Sequence, residues 1–347
     1  MDSYNFEYLD KLVHSGEDEI FLDDDVVLGN LEEFKYGEGI RLDVDDLIID
    51  GKGHSIDAKG KSRIFHCTGE NVILKNITLK RGFSQENGGA IHLEEGELNI
   101  LESLLVSNSS EEDGGAIFNE EGKLSITKSS LEENVAGDFG GAINNWGVLI
   151  VEDSTFKLNR ANFAGAIFND DGNLSITETT FEKNSANKGG ALFNNDGGEM
   201  SIVKSALIDN SAENGGAIVN ENCDLSIEDS RIDSNTASEN GGAIHSAGDL
   251  NISKSAFNAN TARGDGGAIY NNRADTHILK SVFKSNSAEH GGAIHDFDSE
   301  ITIGESQFTS NAANICGGAI SLVKSDCVSN ACTFTNNNPN DVHDCSD

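Results

Sequence analysis

The amino-acid sequence predicts an all-β chain: a right-handed three-sided parallel β-helix of about 12 coils of about 25 residues, behind a short N-terminal capping helix. Three observations lead there. The unit Gly114-Gly115-Ala116-Ile117-Phe118-Asn119 recurs, with close copies beginning at Gly88, Gly140, Ala164, Gly189, Gly215, Gly241, Gly266, Gly291 and Gly317. Each period holds three short apolar alternations of strand length, bounded by turn residues. Proline occurs once in 347 residues, at Pro339, as a stack of paired strands requires, because proline removes a ladder hydrogen bond.

Length alone would give two or three globular domains. Steps of 24 to 26 residues repeated across ten copies override that expectation, since a solenoid unit needs only its neighbours. Three segments follow: a capping helix over 1–16, the β-helix over 17–337 and an acidic, cysteine-bearing tail over 338–347.

Phe6, Leu9, Leu12 and Val13 recur at helical spacing and Gly16 follows as a stop signal, so the first segment reads as an amphipathic cap over the open end of the core. Strand-length runs such as Ile20-Phe21-Leu22, Ile40-Arg41-Leu42 and Ile64-Phe65-His66 come next; Ile40 and Ile64 hold the place of the motif isoleucine in two degenerate coils. From about residue 80 the pattern is regular. Ala116-Ile117-Phe118 is followed by Leu124/Ile126 and then by Leu131 with Asn134, and later coils repeat the order. No single coil can bury its own apolar face, so stability comes from stacking.

Polar residues also keep the period. Asn108, Asn134, Asn159, Asn184, Asn210, Asn235, Asn260, Asn286 and Asn311 hold one place in successive coils. Stacked there, each amide can bond the next coil, as in cross-β ladders. A second series runs Asn119, Asn145, Asn169, Asn194, Asn220 and Asn271, with Ser246 and Asp296 as departures, and a third runs through Ser129, Ser154, Thr179, Ser205, Ser230, Ser255, Ser281 and Ser306. The second glycine of each motif (Gly89, Gly115, Gly141, Gly165, Gly190, Gly216, Gly242, Gly267, Gly292 and Gly318) is present in all ten copies, whereas the first becomes Ala164 in one. Positive φ or close backbone approach is therefore expected at the second position.

The balance of 24 Lys+Arg against 59 Asp+Glu gives a formal charge of −35. Such a surface repels nucleic acid, anionic lipid and acidic polysaccharide. No apolar run is long enough for a transmembrane helix, and no basic region precedes an apolar core in 1–16, so no signal peptide is read there. Cys316, Cys327, Cys332 and Cys345 crowd the C-terminal end, either as two disulfides or as reduced thiols. Zinc is disfavoured because no C-x2-C pair is present.

No coil carries a distinct set of Asp, Lys, Arg and His, and neither the calcium nonapeptide nor a Gly-Lys-Ser/Thr phosphate loop occurs. No catalytic residue, metal ligand or cofactor is assigned, although a site assembled from separate coils would escape this reading. If Ile117 and its equivalents point inward, period-2 alternation sends the next residue outward. That column includes His92, Phe118, Phe168, Phe193, His245, Tyr270 and His295, an aromatic and histidine stripe suited to sugar rings or a protein partner if exposed. Arg263-Gly264-Asp265 is a cell-attachment type tripeptide in a loop, a signal only three residues long.

Gly189-Gly190-Ala191-Leu192 with Phe181-Glu182-Lys183-Asn184, and Gly291-Gly292-Ala293-Ile294 with Phe283-Lys284-Ser285-Asn286, resemble the repeats of the polymorphic outer membrane protein family. The stretch Leu47 to Asp57 and on through Lys75-Asn76-Ile77 is similar to the opening coils of pectin-lyase-like β-helices, above all those of archaeal and bacterial adhesin-like surface proteins. Together the resemblances cover residues from about 20 to 337. They imply a secreted or surface-displayed, non-enzymatic adhesin that binds glycan or protein partners along one face. A polysaccharide lyase or glycosidase and a structural spacer are the alternatives, because such helices host all three.

Overall fold

The computed structural model describes residues 4–345. They form a parallel β-solenoid in which each of three main sheets numbers thirteen strands. Sheet 1 contains the strands entered from the glycine pair, such as Ile117–Asn119. Sheet 2 contains the second alternation, such as Lys123–Thr127, and sheet 3 the third, such as Ser130–Glu132. The thirteenth strand beyond the expected twelve is Val342–Asp344 in sheet 1, and in sheets 2 and 3 it is Glu19–Phe21 and Val26–Val27, which precede Ile40. Val342 pairs with Ile320, so strand pairing runs past residue 337 into the segment expected to be a tail. The chain divides into two units, Met1–Leu174 and Ser175–Asp347.

In the first unit, helix α1 (Phe6–Val13) buries Phe6, Leu9 and Val13 completely, as the spacing predicted. The Asn5 side chain accepts the Tyr8 N–H at 3.0 Å and the Glu32 carboxylate accepts the Glu7 N–H at 3.1 Å, which satisfies donors that a helix start leaves unpaired. A second, four-residue helix, α2 (Glu33–Tyr36), had no sequence signal. Register keeps each interior column apolar: Leu98, Leu124 and Leu149 align on sheet 2, and Leu105, Leu131 and Phe156 on sheet 3. Where the glycine pair has not yet begun, Arg63 lies buried and donates to the Gly88 and Asn87 carbonyls, Ser84 Oγ and the Glu38 carboxylate.

In the second unit the sheet 3 interior is a ring stack: Phe257 and Phe283 lie 4.8 Å apart and Phe283 and Phe308 4.9 Å apart, nearly parallel. Both units also carry a short fourth ladder beyond the asparagines, such as Thr236–Ala237 and Thr261–Ala262, which buries Ala237, Ala262 and Ala288 as one cluster.

The asparagine ladder is present as expected, fully buried. In the first unit Asn108 Nδ2 donates to Asn134 Oδ1, and Asn134 Nδ2 to Asn159 Oδ1, both at 3.0 Å. In the second, the chain of amides runs Asn184, Asn210, Asn235, Asn260, Asn286 and Asn311 and continues to Asn337. Each Nδ2 also reaches a strand carbonyl of the coil before, as Asn235 does to Leu207 at 2.9 Å. The second series bonds likewise, with Asn119 to Asn145 at 2.6 Å. In the third, each hydroxyl accepts the backbone N–H of the preceding coil's serine, as Ser230 Oγ does from Ser205 at 3.0 Å.

Of the two constraints expected at the second glycine, close backbone approach is the one present. Positive φ belongs to the first position, as at Gly114 (φ +60) and Gly215 (φ +61), and Ala164 adopts it too at φ 55. The second position is fixed by close approach alone: a Cβ on Gly216 would meet the Gly242 carbonyl oxygen and lie 2.7 Å from the Thr236 backbone. Of the four C-terminal cysteines, Cys316 and Cys345 are joined in a disulfide while Cys327 and Cys332 are free thiols, as are the buried Cys67 and Cys223.

Candidate binding face

The outward column of sheet 1 forms as the alternation required. In the first unit His66, His92, Phe118, Asn144 and Phe168 stack in register. In the second, Phe193, Val219, His245, Tyr270 and His295 do the same. The column is not an open groove, however. Phe118, Phe168, Phe193 and His295 are buried, and His92, His245 and Tyr270 are half-buried. The cause is visible in the first unit, where the loop before the glycine pair folds back over the sheet. Phe139 in that loop places its ring 4.5 Å from Phe168 and stacks on Phe163 at 5.0 Å.

What reaches solvent along this seam is polar. His66 Nε2 meets the Glu94 carboxylate at 2.8 Å and His92 Nε2 meets that of Glu120 at 3.0 Å, with the two imidazoles stacked 5.0 Å apart. The His66 hydrogen bond holds the Glu94 carboxyl below its usual range, while burial pushes His92 down. Asp113 accepts the Phe139 N–H at 3.2 Å, and its burial beside Asn144 pushes its pKa up to about 6.

In the second unit Tyr270 lies between His245 and His295, its ring 4.8 Å and 5.4 Å from theirs. Burial pushes His245 down to about 4 and raises the Tyr270 phenol. His290 Nδ1 sits 2.7 Å from Asp265 Oδ1. The carboxylate that the Arg263-Gly264-Asp265 tripeptide would present to a partner is thus engaged by the next coil. Asp265, Tyr270, His290 and His295 form a group of acid–base side chains drawn from two coils, which sequence spacing could not reveal. Among the described residues, no three or more His, Cys, Asp or Glu side chains are placed to hold a metal ion.

Two shallow grooves lie elsewhere. One of about 670 Å³ in the first unit is lined by Lys52, Glu102, Lys128, Asp153, Thr78 and Leu104, and one of about 430 Å³ in the second by His277, Leu279, Thr302 and Val328. A third surface feature was missed altogether: Trp146, Val148 and Ile150 are exposed together on one coil. Its signal was legible, since these positions are polar in the adjacent coil, at Lys123 and Ser125.

A family model described as the Chlamydia polymorphic membrane protein repeat matches residues 178–195, 229–247 and 254–272. Each match begins at a corner residue of positive φ (Glu178, Asp229 or Lys254) and ends at or next to the last residue of a sheet 1 strand. Each therefore takes in a sheet 3 strand, a ladder asparagine and a glycine motif. The chain is a parallel β-solenoid, three of whose coils are similar to the polymorphic membrane protein repeat. In these repeats the large apolar residue (Phe181, Ile232 or Phe257) and the asparagine are interior groups, and the glycines shape the entry to sheet 1. The repeat signature is accordingly one of scaffold. No curated protein matches the chain. Among the described residues, no helix is long and apolar enough to cross a membrane.

Proposed function

We propose that the protein is a non-enzymatic, adhesin-like surface or extracellular protein that holds glycan or protein partners on the outer faces of its coils. The observation that carries this reading is the uniformity of the interior set against the variety outside. Every regular coil spends its asparagines, serines and glycines on the same ladders, as in the bonds from Asn210 to Asn235 and from Asn235 to Asn260. Interior departures are few, such as Ser246 and Asp296 in the second ladder, whereas outward positions vary widely from coil to coil. The polymorphic membrane protein repeats support surface placement. The net charge of −35 favours uncharged or basic partners over acidic ones.

A second reading, a polysaccharide lyase or glycosidase, is favoured by one observation, the pairing of His290 with Asp265 beside Tyr270. The full chain applied to a mixed array of glycans and matrix proteins separates the two. Saturable retention with no released sugar supports the adhesin; unsaturated or reducing sugar in the supernatant supports the enzyme, and loss of that product in His290→Ala would place it at this pair.

A further inference from the structure

We infer that Trp146, Val148 and Ile150 form a subsite for a pyranose ring of an uncharged glycan. This deepens the adhesin reading and rests on it. Trp146 is the only tryptophan in the chain. It is 45% exposed, and Val148 and Ile150, alternate residues of the sheet 2 strand that follows it, are 39% and 38% exposed. Alternate strand residues share a face, so Val148 and Ile150 lie together on the outside of that strand, and Trp146 stands two residues before it at the bend leading in, which brings the three exposed apolar side chains onto one stretch of a single coil. The adjacent coil does not continue it, since Lys123 pairs with Val148 and Ser125 with Ile150 in register.

The indole is held in place. Its backbone N–H donates to the Asn119 carbonyl at 2.8 Å, and its ring packs against Phe118 at 5.1 Å and 75°. A ring fixed on one side and open on the other offers a preorganised stacking surface at little entropic cost. Isolated exposed apolar side chains are ordinary, but a contiguous strip that breaks the pattern of its own repeat is not.

The size of the strip decides between occupants. Three partly exposed side chains offer a few hundred Å² at most, whereas a stable protein interface buries about 800 Å² on each partner. One sugar ring is the right scale. Its apolar face would lie on the indole with its hydroxyls turned towards Lys123 and Ser125. Lys123 is already paired with Glu97 at 2.9 Å, so it offers hydrogen bonding without a free charge. The overall charge of −35 then selects neutral glycans over uronates and sulfated chains.

The lone tryptophan is also the reporter. The full chain is titrated with xylohexaose, cellohexaose, mannohexaose and chitohexaose while indole emission is followed, and the same chain is applied to the mixed glycan and protein array. Saturable change in emission with at least one oligosaccharide is expected. A double variant, Val148→Ser with Ile150→Ser, matches the polar character of the neighbouring coil and should weaken that binding at least tenfold while the thermal melt stays cooperative. Trp146→Ala, which removes the reporter and is therefore read on the array alone, should abolish it. Glycan retention on the array that persists at full strength in the double variant and in Trp146→Ala overturns the subsite and leaves the adhesin reading standing. Retention of proteins alone, with no glycan bound, does the same. Retention of nothing at all removes both.

Discussion

The backbone N–H and the Nδ2 of Asn210 both donate to one atom, Oδ1 of Asn235, each at 3.0 Å. Asn235 passes the arrangement on, donating Nδ2 to Asn260 Oδ1 at 3.0 Å and to the Leu207 carbonyl at 2.9 Å. No polar atom of this buried amide is left over. Replacing Asn235 by Leu strips partners from the amide groups of Asn210 and from the Leu207 carbonyl in a site closed to water. Unsatisfied buried groups cost about 1–3 kcal/mol each, so a loss of about 3–5 kcal/mol is expected in chemical denaturation. Asn195→Leu, at a half-buried side chain that donates to Asp196 outside the ladder, should lose clearly less, about 1 kcal/mol. Equal losses in the two variants would contradict the ladder.

The glycine pair gives an ordered prediction. Gly215→Ala places an alanine at positive φ with its Cβ against the Ile218 carbonyl and the Val219 side chain, a strain of about 1–2 kcal/mol after the local adjustment that the homologous Ala164 makes at φ 55. Gly216→Ala drives a methyl group into the Gly242 carbonyl and the Thr236 backbone, which cannot rotate away. Thermal melts should show the second variant losing at least about 3 kcal/mol, beyond ordinary overpacking, and the first clearly less.

Two half-buried groups make stability depend on pH in opposite senses. Asp113 is pushed up to about 6 from the ordinary 3.8, so the folded chain takes up this proton first as pH falls. Its contribution therefore improves between about pH 6 and 4 and is unfavourable above. Asp113→Asn keeps an acceptor for the Phe139 N–H and should raise stability at pH 7.5 by about 1 kcal/mol, the full conversion being cut by solvent screening. His245 is pushed down to about 4 from 6.5, so the unfolded chain takes up this proton first and stability is lost as pH falls through that window. His245→Phe restores the ring found elsewhere in the column and should relieve about 2 kcal/mol at pH 5 and nothing at pH 8. Melting temperatures of both variants across pH 4–8 check the two signs.

The disulfide between Cys316 and Cys345 closes a separation of 29 residues. Loop-closure entropy assigns such a link about 3–4 kcal/mol. Alkylation of the denatured, unreduced chain should label four thiols and the reduced chain six. Cys345→Ser should speed amide exchange first in Val342–Asp344, the strand that the link ties to its sheet.

The scaffold was largely legible because repetition fixes it. The interior column Leu124, Leu149, the ladder of Asn108 and the serine at Ser129 each follow from the period and from what a stacked coil must bury. Three features were not. The cover over Phe168 depends on Phe139, a loop residue whose direction no period specifies. The pairing of His290 with Asp265 joins residues one coil apart, a distance set by stacking and not by local pattern. The choice between φ and close approach at the second glycine stayed open because counting copies shows which position tolerates a methyl group but not which constraint forbids one. Trp146, Val148 and Ile150 could have been found by asking which coil departs from its neighbours.

The most direct test of the central claim, a scaffold that holds neutral glycan without acting on it, is mass spectrometry of an oligosaccharide after long incubation with the full chain. The oligosaccharide used is the one that shifts the Trp146 emission. The account predicts an intact oligosaccharide that co-elutes with wild-type protein in size exclusion and with neither Trp146→Ala nor the Val148→Ser, Ile150→Ser double variant. Shortened or unsaturated fragments, formed in proportion to protein concentration, would contradict it.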